Sequence, residues 1–354
     1  MSVFSFPSVV PNWIKGEDFD AQSGKAFEKR NPHDGSVLAR VAQSNETDIE
    51  TAVTAAKVAQ PLWAEVPGVQ RGNVLYEIID NMKRDRDAIA DIVSRETGKS
   101  PRDARGETDG AIALGRFFAS EGQRLYGRTT TSGVVNKLVS TIREPVGVVG
   151  LIAAANTPIA NIAWKVFPAL VCGNSAVIKS SEDAPLTTWM FGQMIKDTGL
   201  PAGVLNIVHG FGEEAGAPLV RHHDVQLISF TGSTAVGIFI ARTAGERLAK
   251  VSLELGGKNP FVVCDDADIE NAVKWAALSA FSNAGQRCAS GSRIIVFRSV
   301  YDEFVSRFVD ATKKLKVGPG DDDDFGPVIN EKQLNLMLHA IESARAHGAN
   351  VLTG

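Results

Sequence analysis

The sequence has few cysteines, no long apolar stretch and no large excess of charge of either sign. Its three cysteines, Cys172, Cys264 and Cys288, are odd in number and widely spaced. They fit neither a disulfide framework nor a zinc site, so we expect no metal and a reducing, cytoplasmic environment. No stretch approaches the roughly 18 apolar residues of a transmembrane helix, and the N-terminus lacks the features of a signal peptide. The formal net charge of -4 gives no electrostatic reason to expect nucleic acid or an anionic membrane as a partner.

The first part of the chain is predicted to be mainly helical. Apolar residues recur at helical spacing over residues 48–64, 69–82 and 87–96, and the third helix is expected to end at TGKSP. The segment NPHDG at 31–35 predicts a turn between short strands. Residues 129–143 alternate and are rich in Thr and Val, which predicts an exposed hairpin rather than a core strand.

The second part has the pattern of an α/β fold. The runs VGVVGLIAAAN, AVIKS, VLNIVHG and LISFTG are short and apolar, and each precedes a helical stretch, which predicts a parallel sheet with crossover helices. These strands end at Asn156, Lys179, His209 and Thr231, and ligands of such sheets gather at the carboxyl ends of the strands. A further unit of two strands and two helices starts near Lys258, and 354 residues suffice for two domains.

Two glycine-containing segments are candidate phosphate sites. HGFGEEA at 209–215 follows a strand and matches the G-x-G-x-x-A dinucleotide pattern, with Gly212 as its second glycine. A plain tight turn is the alternative, because no acidic residue ends a strand about 20 residues later. FTGST at 230–234 places Gly232 and Ser233 at the start of a helix, where backbone N–H groups favour phosphate. An ordinary helix cap is the alternative there.

Three side chains are candidates for chemistry. Cys288, in NAGQRCAS, lies on a loop of small residues that could expose a thiol and offer N–H groups to a charged intermediate; an inert buried cysteine is the alternative. Glu254, in LELGGKNP, lies in an apolar strand, where a carboxylate needs a partner or a role, and a salt-bridged glutamate is the alternative. Asn156 could simply cap the next helix. These residues alone leave each choice open.

The segments also occur in one order, and in that order they resemble the signature segments of the aldehyde dehydrogenase superfamily. The resemblance runs from about residue 30 to the end of the chain and rests on VGLIAAANTP, VIKSSE, FTGST, LELGGKNP and NAGQRC. It implies that Cys288 is the nucleophile, that Glu254 is the general base for water, and that Asn156 donates to the oxyanion. The implied cofactor-binding residues are Lys179 and Glu182 at the adenosine ribose, Ser233 at the pyrophosphate, and the neighbouring Gly212 and Gly232.

The resemblance implies a reaction and a cofactor. A thiolate adds to an aldehyde, the thiohemiacetal passes hydride to NAD, and water activated by Glu254 hydrolyses the thioester to a carboxylic acid. The carboxylate of Glu182 argues for NAD because it would repel a 2′-phosphate, whereas Lys179 softens that preference, so NADP is the alternative. Small residues flank Asn156 where family members commonly carry larger ones. They could make room for a ring, and we hypothesise an aromatic aldehyde as substrate.

The resemblance implies the domain organisation as well. It predicts a Rossmann-like dinucleotide-binding domain at 1–125 and 146–256, an oligomerisation hairpin at 126–145, and an incomplete α/β catalytic domain at 257–354. The family's later segments have no counterpart before Gly354, so the chain resembles a truncated member.

The family relationship also bears on assembly and on the end of the chain. The full-length form is expected to be a homodimer or homotetramer, and the shorter chain is expected to assemble weakly. The acidic run at 321–324 is predicted to be a solvated loop that leads to a helix at 331–347, and the last residues, HGANVLTG, are predicted to complete a strand.

Two alternatives to this function remain open. A related enzyme would pass the acyl group from Cys288 to coenzyme A, where Glu254 would have no use. The chain could also fold and bind without turnover, as a binding or structural protein. Product formation without coenzyme A would argue against the first alternative. Cofactor binding without turnover would favour the second.

Overall fold

The computed structural model describes residues 6–354. The strands are Asn12–Ile14 (β1), Glu17–Phe19 (β2), Ala26–Arg30 (β3), Val37–Ala42 (β4), Thr129–Thr131 (β5), Leu138–Ser140 (β6), Val148–Ile152 (β7), Ser175–Lys179 (β8), Leu205–Val208 (β9), Val225–Gly232 (β10), Lys250–Leu255 (β11), Asn259–Val263 (β12) and Gly291–Val296 (β13). The α-helices are Glu46–Glu65 (α1), Gly68–Arg84 (α2), Arg86–Thr97 (α3), Pro101–Glu121 (α4), Pro158–Val171 (α5), Pro185–Ile195 (α6), Ala217–Arg221 (α7), Thr234–Gly245 (α8), Ile269–Phe281 (α9), Tyr301–Thr312 (α10) and Glu331–Ala346 (α11).

A seven-stranded sheet organises most of the molecule, in the order β11-β10-β7-β8-β9-β1-β2. The five strands from β11 to β9 run parallel, and β1 and β2 extend the sheet antiparallel. Every residue of β7, β8 and β9 is buried, as expected for parallel strands that are covered on both faces. The predicted α/β fold with a parallel sheet is therefore confirmed.

Two apolar cores lie on opposite faces of this sheet. Val149 and Leu151 of β7 belong to one core, while Val148 and Ile152 belong to the other. Successive strand residues point to opposite faces, so the unbroken apolar run of this strand supplies both cores. The helices α2–α6 cover the first face, and the N-terminal half of α1 with α7 and α8 covers the second.

A smaller unit follows the main sheet. β12 and β13 pair in parallel, and α9 and α10 pack beside them around the buried Phe304 and Val263. This is the strand–helix–strand–helix unit predicted to start near Lys258. It places the loop that carries Cys288 between α9 and β13.

Two predicted hairpins are confirmed. β3 and β4 pair antiparallel across the NPHDG turn, where Gly35 has a φ of +73°. β5 and β6 also pair antiparallel, and every residue of both strands is exposed.

Two details differ from the sequence-based expectations. α3 ends before Gly98, within TGKSP as predicted. Pro101, which was also expected to stop it, begins α4, a 21-residue helix that the apolar pattern did not reveal; proline suits the first turn of a helix because no N–H is needed there. Residues 349–354 form no strand, so that prediction was wrong, and within residues 6–354 no other strand pairs with them. The acidic run at 321–324 lies in a loop, as predicted, with Asp321 and Asp322 exposed and Asp323 and Asp324 half-buried; Asp321 pairs with Arg105 at 2.7 Å.

Within residues 6–354, none of the helices combines the length and the apolar composition needed to cross a bilayer. The signal-peptide prediction falls partly on residues 1–5, which lie outside the described residues.

Candidate active site

Five residues predicted to bind a cofactor line one cleft at the carboxyl ends of the parallel strands. This sheet-end cleft has a volume of about 510 Å³. Its predicted members are Lys179 at the end of β8, Glu182 just beyond it, Gly212, and the pair Gly232 and Ser233 between β10 and α8. Parallel strands end at the same edge of a sheet, which is why segments far apart in sequence meet here.

An ion pair between Lys179 and Glu182 supplies charged groups to the lining of the sheet-end cleft. Lys179 is only 2% exposed, and its Nζ lies 2.9 Å from Oε2 of Glu182, which is half-buried. Burial raises the pKa of Glu182, but the Lys179 ammonium and its hydrogen bond outweigh burial, so the pKa lies below its ordinary value. Glu182 is thus held as a carboxylate that can accept hydrogen bonds from ligand hydroxyl groups.

The two glycine segments contribute differently to this cleft. The Oγ of Ser233 caps α8 by accepting from the N–H of Val236 at 3.4 Å. Gly212 begins a short π-helical turn and faces the cleft, with no heavy atom within 4 Å of the position of a Cβ. Gly210, with a φ of +141°, packs instead against the backbone of Ser44. Of the two glycines in the G-x-G-x-x-A pattern, only Gly212 therefore lines the cleft.

The walls of the sheet-end cleft suit a nucleotide. Apolar side chains such as Val220, Val236 and Ile240 lie in the same lining as the Lys179–Glu182 pair. A flat base needs apolar contacts, whereas ribose hydroxyls need partners that can donate and accept. The residues present therefore fit a dinucleotide cofactor, with the N-terminus of the 12-residue helix α8 available for a phosphate.

Cys288 and Asn156 line a second, adjacent cleft of about 400 Å³, which we call the thiol cleft. Cys288 is exposed on its loop, and Asn156 follows β7. The two clefts adjoin through one segment of chain, because Ala155 lines the sheet-end cleft and Asn156 lines the thiol cleft. The structure therefore brings the predicted nucleophile and oxyanion donor together, next to the predicted cofactor residues.

Asn156 is fixed by hydrogen bonds from several directions. Its side-chain amide donates to the carbonyl of Gln286 at 2.9 Å. Its backbone carbonyl accepts from the Lys99 ammonium and from the Asn283 side-chain amide, each at 2.9 Å. Asn283 and the following Ala284 have φ values of +54°, a left-handed conformation that costs free energy in residues other than glycine. This strained turn leads directly into the Cys288 loop.

Several residues that position the site escaped the sequence-based prediction. Lys99 and Glu107 form a buried ion pair in the thiol cleft, and Glu107 accepts from the N–H groups of Ile159 and Ala160 at the start of α5. Asn259, in LELGGKNP, donates to the carbonyls of Cys288 and Ser290. Asn259 belongs to a motif segment and could have been suspected, but the sequence carries no signal for the pairing of Lys99 with Glu107.

Glu254 is not among the residues that line the thiol cleft in the described part of the chain. It is exposed on the edge strand β11, beside Lys165 of α5, which is 5% exposed. Burial lowers the pKa of Lys165 to about 8, although the charge of Glu254 opposes the shift. Lys165 was also missed, although a lysine within the apolar run PIANIAWKVFPALV needs a partner and could have been noticed.

An exposed thiol, a fixed amide and a neighbouring cleft suited to a nucleotide are the arrangement of a dehydrogenase that works through a cysteine. Comparison with known proteins agrees. Residues 19–354 match the model of the aldehyde dehydrogenase family, and the chain belongs to that family.

Relatives and solved structures match almost the whole chain. Alpha-ketoglutaric semialdehyde dehydrogenase of Bacillus subtilis is 39% identical over 100% of this chain and 73% of its own length. PnpE from Pseudomonas sp. WBC-3, and PnpE in complex with nicotinamide adenine dinucleotide, are each 36% identical with a TM-score of 0.95, over 97% of this chain and 71% of theirs. Other matched proteins are described as bound to, or dependent on, NADP. The chain thus spans about 70% of the length of these proteins.

Proposed function

We propose that this protein oxidises an aldehyde to a carboxylic acid with NAD, through a covalent intermediate on Cys288. The observation that carries the proposal is the pairing of Cys288 and Asn156 in one cleft, next to the sheet-end cleft that fits a dinucleotide. Membership of the aldehyde dehydrogenase family supports the same reaction.

The chemistry begins with addition of the Cys288 thiolate to the aldehyde carbon. Cysteine is the most nucleophilic side chain near neutral pH. The carbonyl oxygen then becomes an oxyanion, which the side-chain amide of Asn156 stabilises together with the backbone N–H of Cys288. One amide hydrogen of Asn156 bonds to Gln286, which leaves the second for substrate. When bound, the nicotinamide supplies the acceptor for the hydride that leaves this adduct.

Glu254 completes the reaction as general base. A carboxylate that takes a proton from water generates the nucleophile that hydrolyses the Cys288 thioester. For this role Glu254 must reach the thiol cleft from its exposed position on β11. Lys165, whose charge interacts with that of Glu254, stabilises the carboxylate between turnovers.

We propose NAD as the main cofactor, held by Lys179, Glu182, Gly212, Gly232 and Ser233. The Glu182 carboxylate is suited to accept from ribose hydroxyls and to repel a 2′-phosphate. NADP is the alternative, since matched proteins use it and the Lys179 ammonium is close to Glu182.

The domain boundaries, the assembly and the cellular location are proposed from less specific observations. We propose a cofactor-binding domain at 1–125 and 146–256 and a catalytic domain at 257–354; the separate apolar core around Val263 and Phe304, apart from the two cores of the main sheet, supports this division. We propose homo-oligomers assembled through the hairpin at 126–145, because its strands are exposed. We propose a cytoplasmic location, because the three cysteines are free and reduced thiols are typical of that compartment.

Rapid mixing tests the proposed function. The 354-residue chain is mixed with NAD and an aldehyde while NADH is followed, beside Cys288→Ala. We expect a burst of NADH that vanishes in the variant, because the thiol is consumed once per site before hydrolysis. A burst that survives in Cys288→Ala, or no NADH from any of a panel of aldehydes, contradicts the proposal.

The two alternatives make different products. An acyl-transferring enzyme would release product only when coenzyme A is present. A non-catalytic protein would bind NAD in a titration without any burst.

A further inference from the structure

We propose that the natural substrate is an aldehyde that carries a carboxylate a few carbons from its reacting carbonyl, and that Arg102 and Arg287 bind this carboxylate. The proposal rests on the proposed function, since it assigns a substrate class to the same thiol cleft. It departs from the hypothesis of an aromatic substrate, and the composition of the cleft is the reason.

The thiol cleft carries unmatched positive charge. Lys99, Arg102 and Arg287 line it together with Asp103 and Glu107. Lys99 and Glu107 are buried and neutralise each other. The remaining carboxylate, that of Asp103, is outnumbered by two guanidinium groups, so the open part of the cleft attracts an anion.

The two arginines are free to bind a ligand. Within residues 6–354, no carboxylate forms an ion pair with Arg287, which directly precedes Cys288 in the chain. Arg102 at the start of α4 donates from Nη2 to the backbone carbonyl of Asp323 at 3.3 Å; within residues 6–354 it forms no ion pair, although the acidic run at 321–324 lies beside it and pairs with Arg105 through Asp321. Guanidinium groups bind carboxylates through two parallel hydrogen bonds, so either side chain can hold the far end of a short substrate.

The part of the cleft wall that this chain forms offers an aromatic ring little apolar surface. Among the described residues, its lining contains no aromatic and no large aliphatic side chain; the uncharged members are Gly106, Asn156, Thr157, Asn283, Cys288 and Ala289. Binding of a ring draws most of its free energy from apolar contact area, and the residues of this chain, which spans about 70% of the length of its relatives, supply little such area to the cleft. A flexible chain that ends in a carboxylate depends less on apolar surface, because a cation in the cleft can bind the carboxylate.

The charge preference of Cys288 can be measured without any cofactor. Iodoacetate and iodoacetamide alkylate a thiol with loss of iodide and differ mainly in charge. Their rates at Cys288 are followed by mass spectrometry of the cysteine peptide, and the ratio of the two is normalised to that of N-acetylcysteine. We expect a normalised ratio of about 10 or more for the wild type, because a charged hydrogen bond changes affinity on the order of 10-fold to 100-fold.

Variants connect the preference to the two arginines. Arg287→Gln and Arg102→Gln should each lower the normalised ratio, and Arg287→Lys should retain most of it. The iodoacetamide rate within each variant reports whether Cys288 is still accessible. Arg105→Gln is the matched control, since Arg105 lies on the same helix but pairs with Asp321. A normalised ratio near 1 in the wild type, or equal losses in Arg105→Gln, overturns the proposal.

Turnover gives a second, independent measurement. With NAD, we expect kcat/KM for 4-oxobutanoate to exceed that for butanal, its uncharged counterpart, and that for benzaldehyde by about 10-fold or more. Equal or better use of butanal or benzaldehyde overturns the proposal while leaving the proposed function intact. Failure of every aldehyde, with no burst, overturns both.

Discussion

At the scale of single residues, the site is built by holding one asparagine through both its side chain and its backbone. The side-chain amide of Asn156 donates to the carbonyl of Gln286, while the backbone carbonyl of Asn156 accepts from Lys99 and Asn283. Pre-positioned donors stabilise a developing oxyanion at little cost in reorganisation. The bonds also couple the position of the amide to the loop that carries Cys288, because Gln286 lies two residues before the thiol.

Motif order made Cys288 and Asn156 predictable, but the residues that hold them were not. Lys99 lies 57 positions before the carbonyl that it contacts, and Glu107 lies 52 positions before Ile159. Each looks like an ordinary charged residue near the start of a helix. Only the packing of α4 against the start of α5 buries them and gives them partners, and that packing has no local sequence signal.

Lys165 provides a residue-scale prediction about stability. Its folded pKa of about 8 lies below its ordinary value of 10.5, so the native state binds fewer protons than the unfolded state between these values. The free energy of unfolding should therefore rise as the pH increases from 8 to 10.5, by on the order of 3 kcal/mol from this group. Below pH 8 Lys165 is charged in both the native and the unfolded state, so the native state carries the full cost of burying its charge.

The measurement compares the wild type with Lys165→Met in urea at pH 7.5 and pH 10. The variant should be the more stable protein at pH 7.5, and the advantage should shrink as the pH rises. A difference that is the same at both pH values would show that Lys165 is not destabilised by burial.

At the scale of secondary structure, the missed helix α4 explains where sequence patterns fail. Its three glycines look like helix breakers, yet one of them, Gly115, serves close packing between helices. A Cβ at Gly115 would lie 2.8 Å from the ring of Phe167 and 2.9 Å from Ile79, so only glycine allows α4 to approach α5 and α2 this closely. The strands of the main sheet were easier to predict, since burial on both faces leaves an unbroken apolar run.

The junction between α3 and α6 gives an element-scale prediction. The buried carboxylate of Glu96 accepts from the N–H groups of Leu186 at 2.8 Å and Thr187 at 2.9 Å, at the start of α6. Burial raises the pKa of Glu96 to about 7, even though the bond to Thr187 and the charge of Lys29 favour the ionised form. Glu96→Ala would leave two buried N–H groups without acceptors and would leave the buried Lys29 with Asp183 alone as its nearby carboxylate.

We expect Glu96→Ala to lower the free energy of unfolding by about 3–5 kcal/mol, measured by urea denaturation at pH 7. Asp91→Ala is the control on the same helix, where a surface pair with Arg95 should contribute less than about 1 kcal/mol. Similar losses in both variants would contradict the assigned role of Glu96 at the start of α6.

At the scale of the whole molecule, apolar side chains remain in contact with solvent on the hairpin. Val135 and Leu138 are 85% and 81% exposed, and Ile142 is 75% exposed. Contiguous exposed apolar surface of this kind marks an interaction site, and the exposed edges of β5 and β6 can pair with another strand. Both features suit a second copy of the chain, which carries the same hairpin.

The assembly prediction is therefore that self-association depends on the hairpin. Light scattering at several concentrations should give masses above the 37.8 kDa of one chain for the wild type, and masses closer to one chain for Leu138→Asp. A charge placed in an apolar contact must be desolvated without a partner, which opposes association. Leu62→Asp is the matched control, because Leu62 is a leucine of α1 with 68% exposure, remote in sequence from the hairpin. If the two variants associate equally, or if the wild type is a single chain at every concentration, the hairpin is not an assembly surface in this protein.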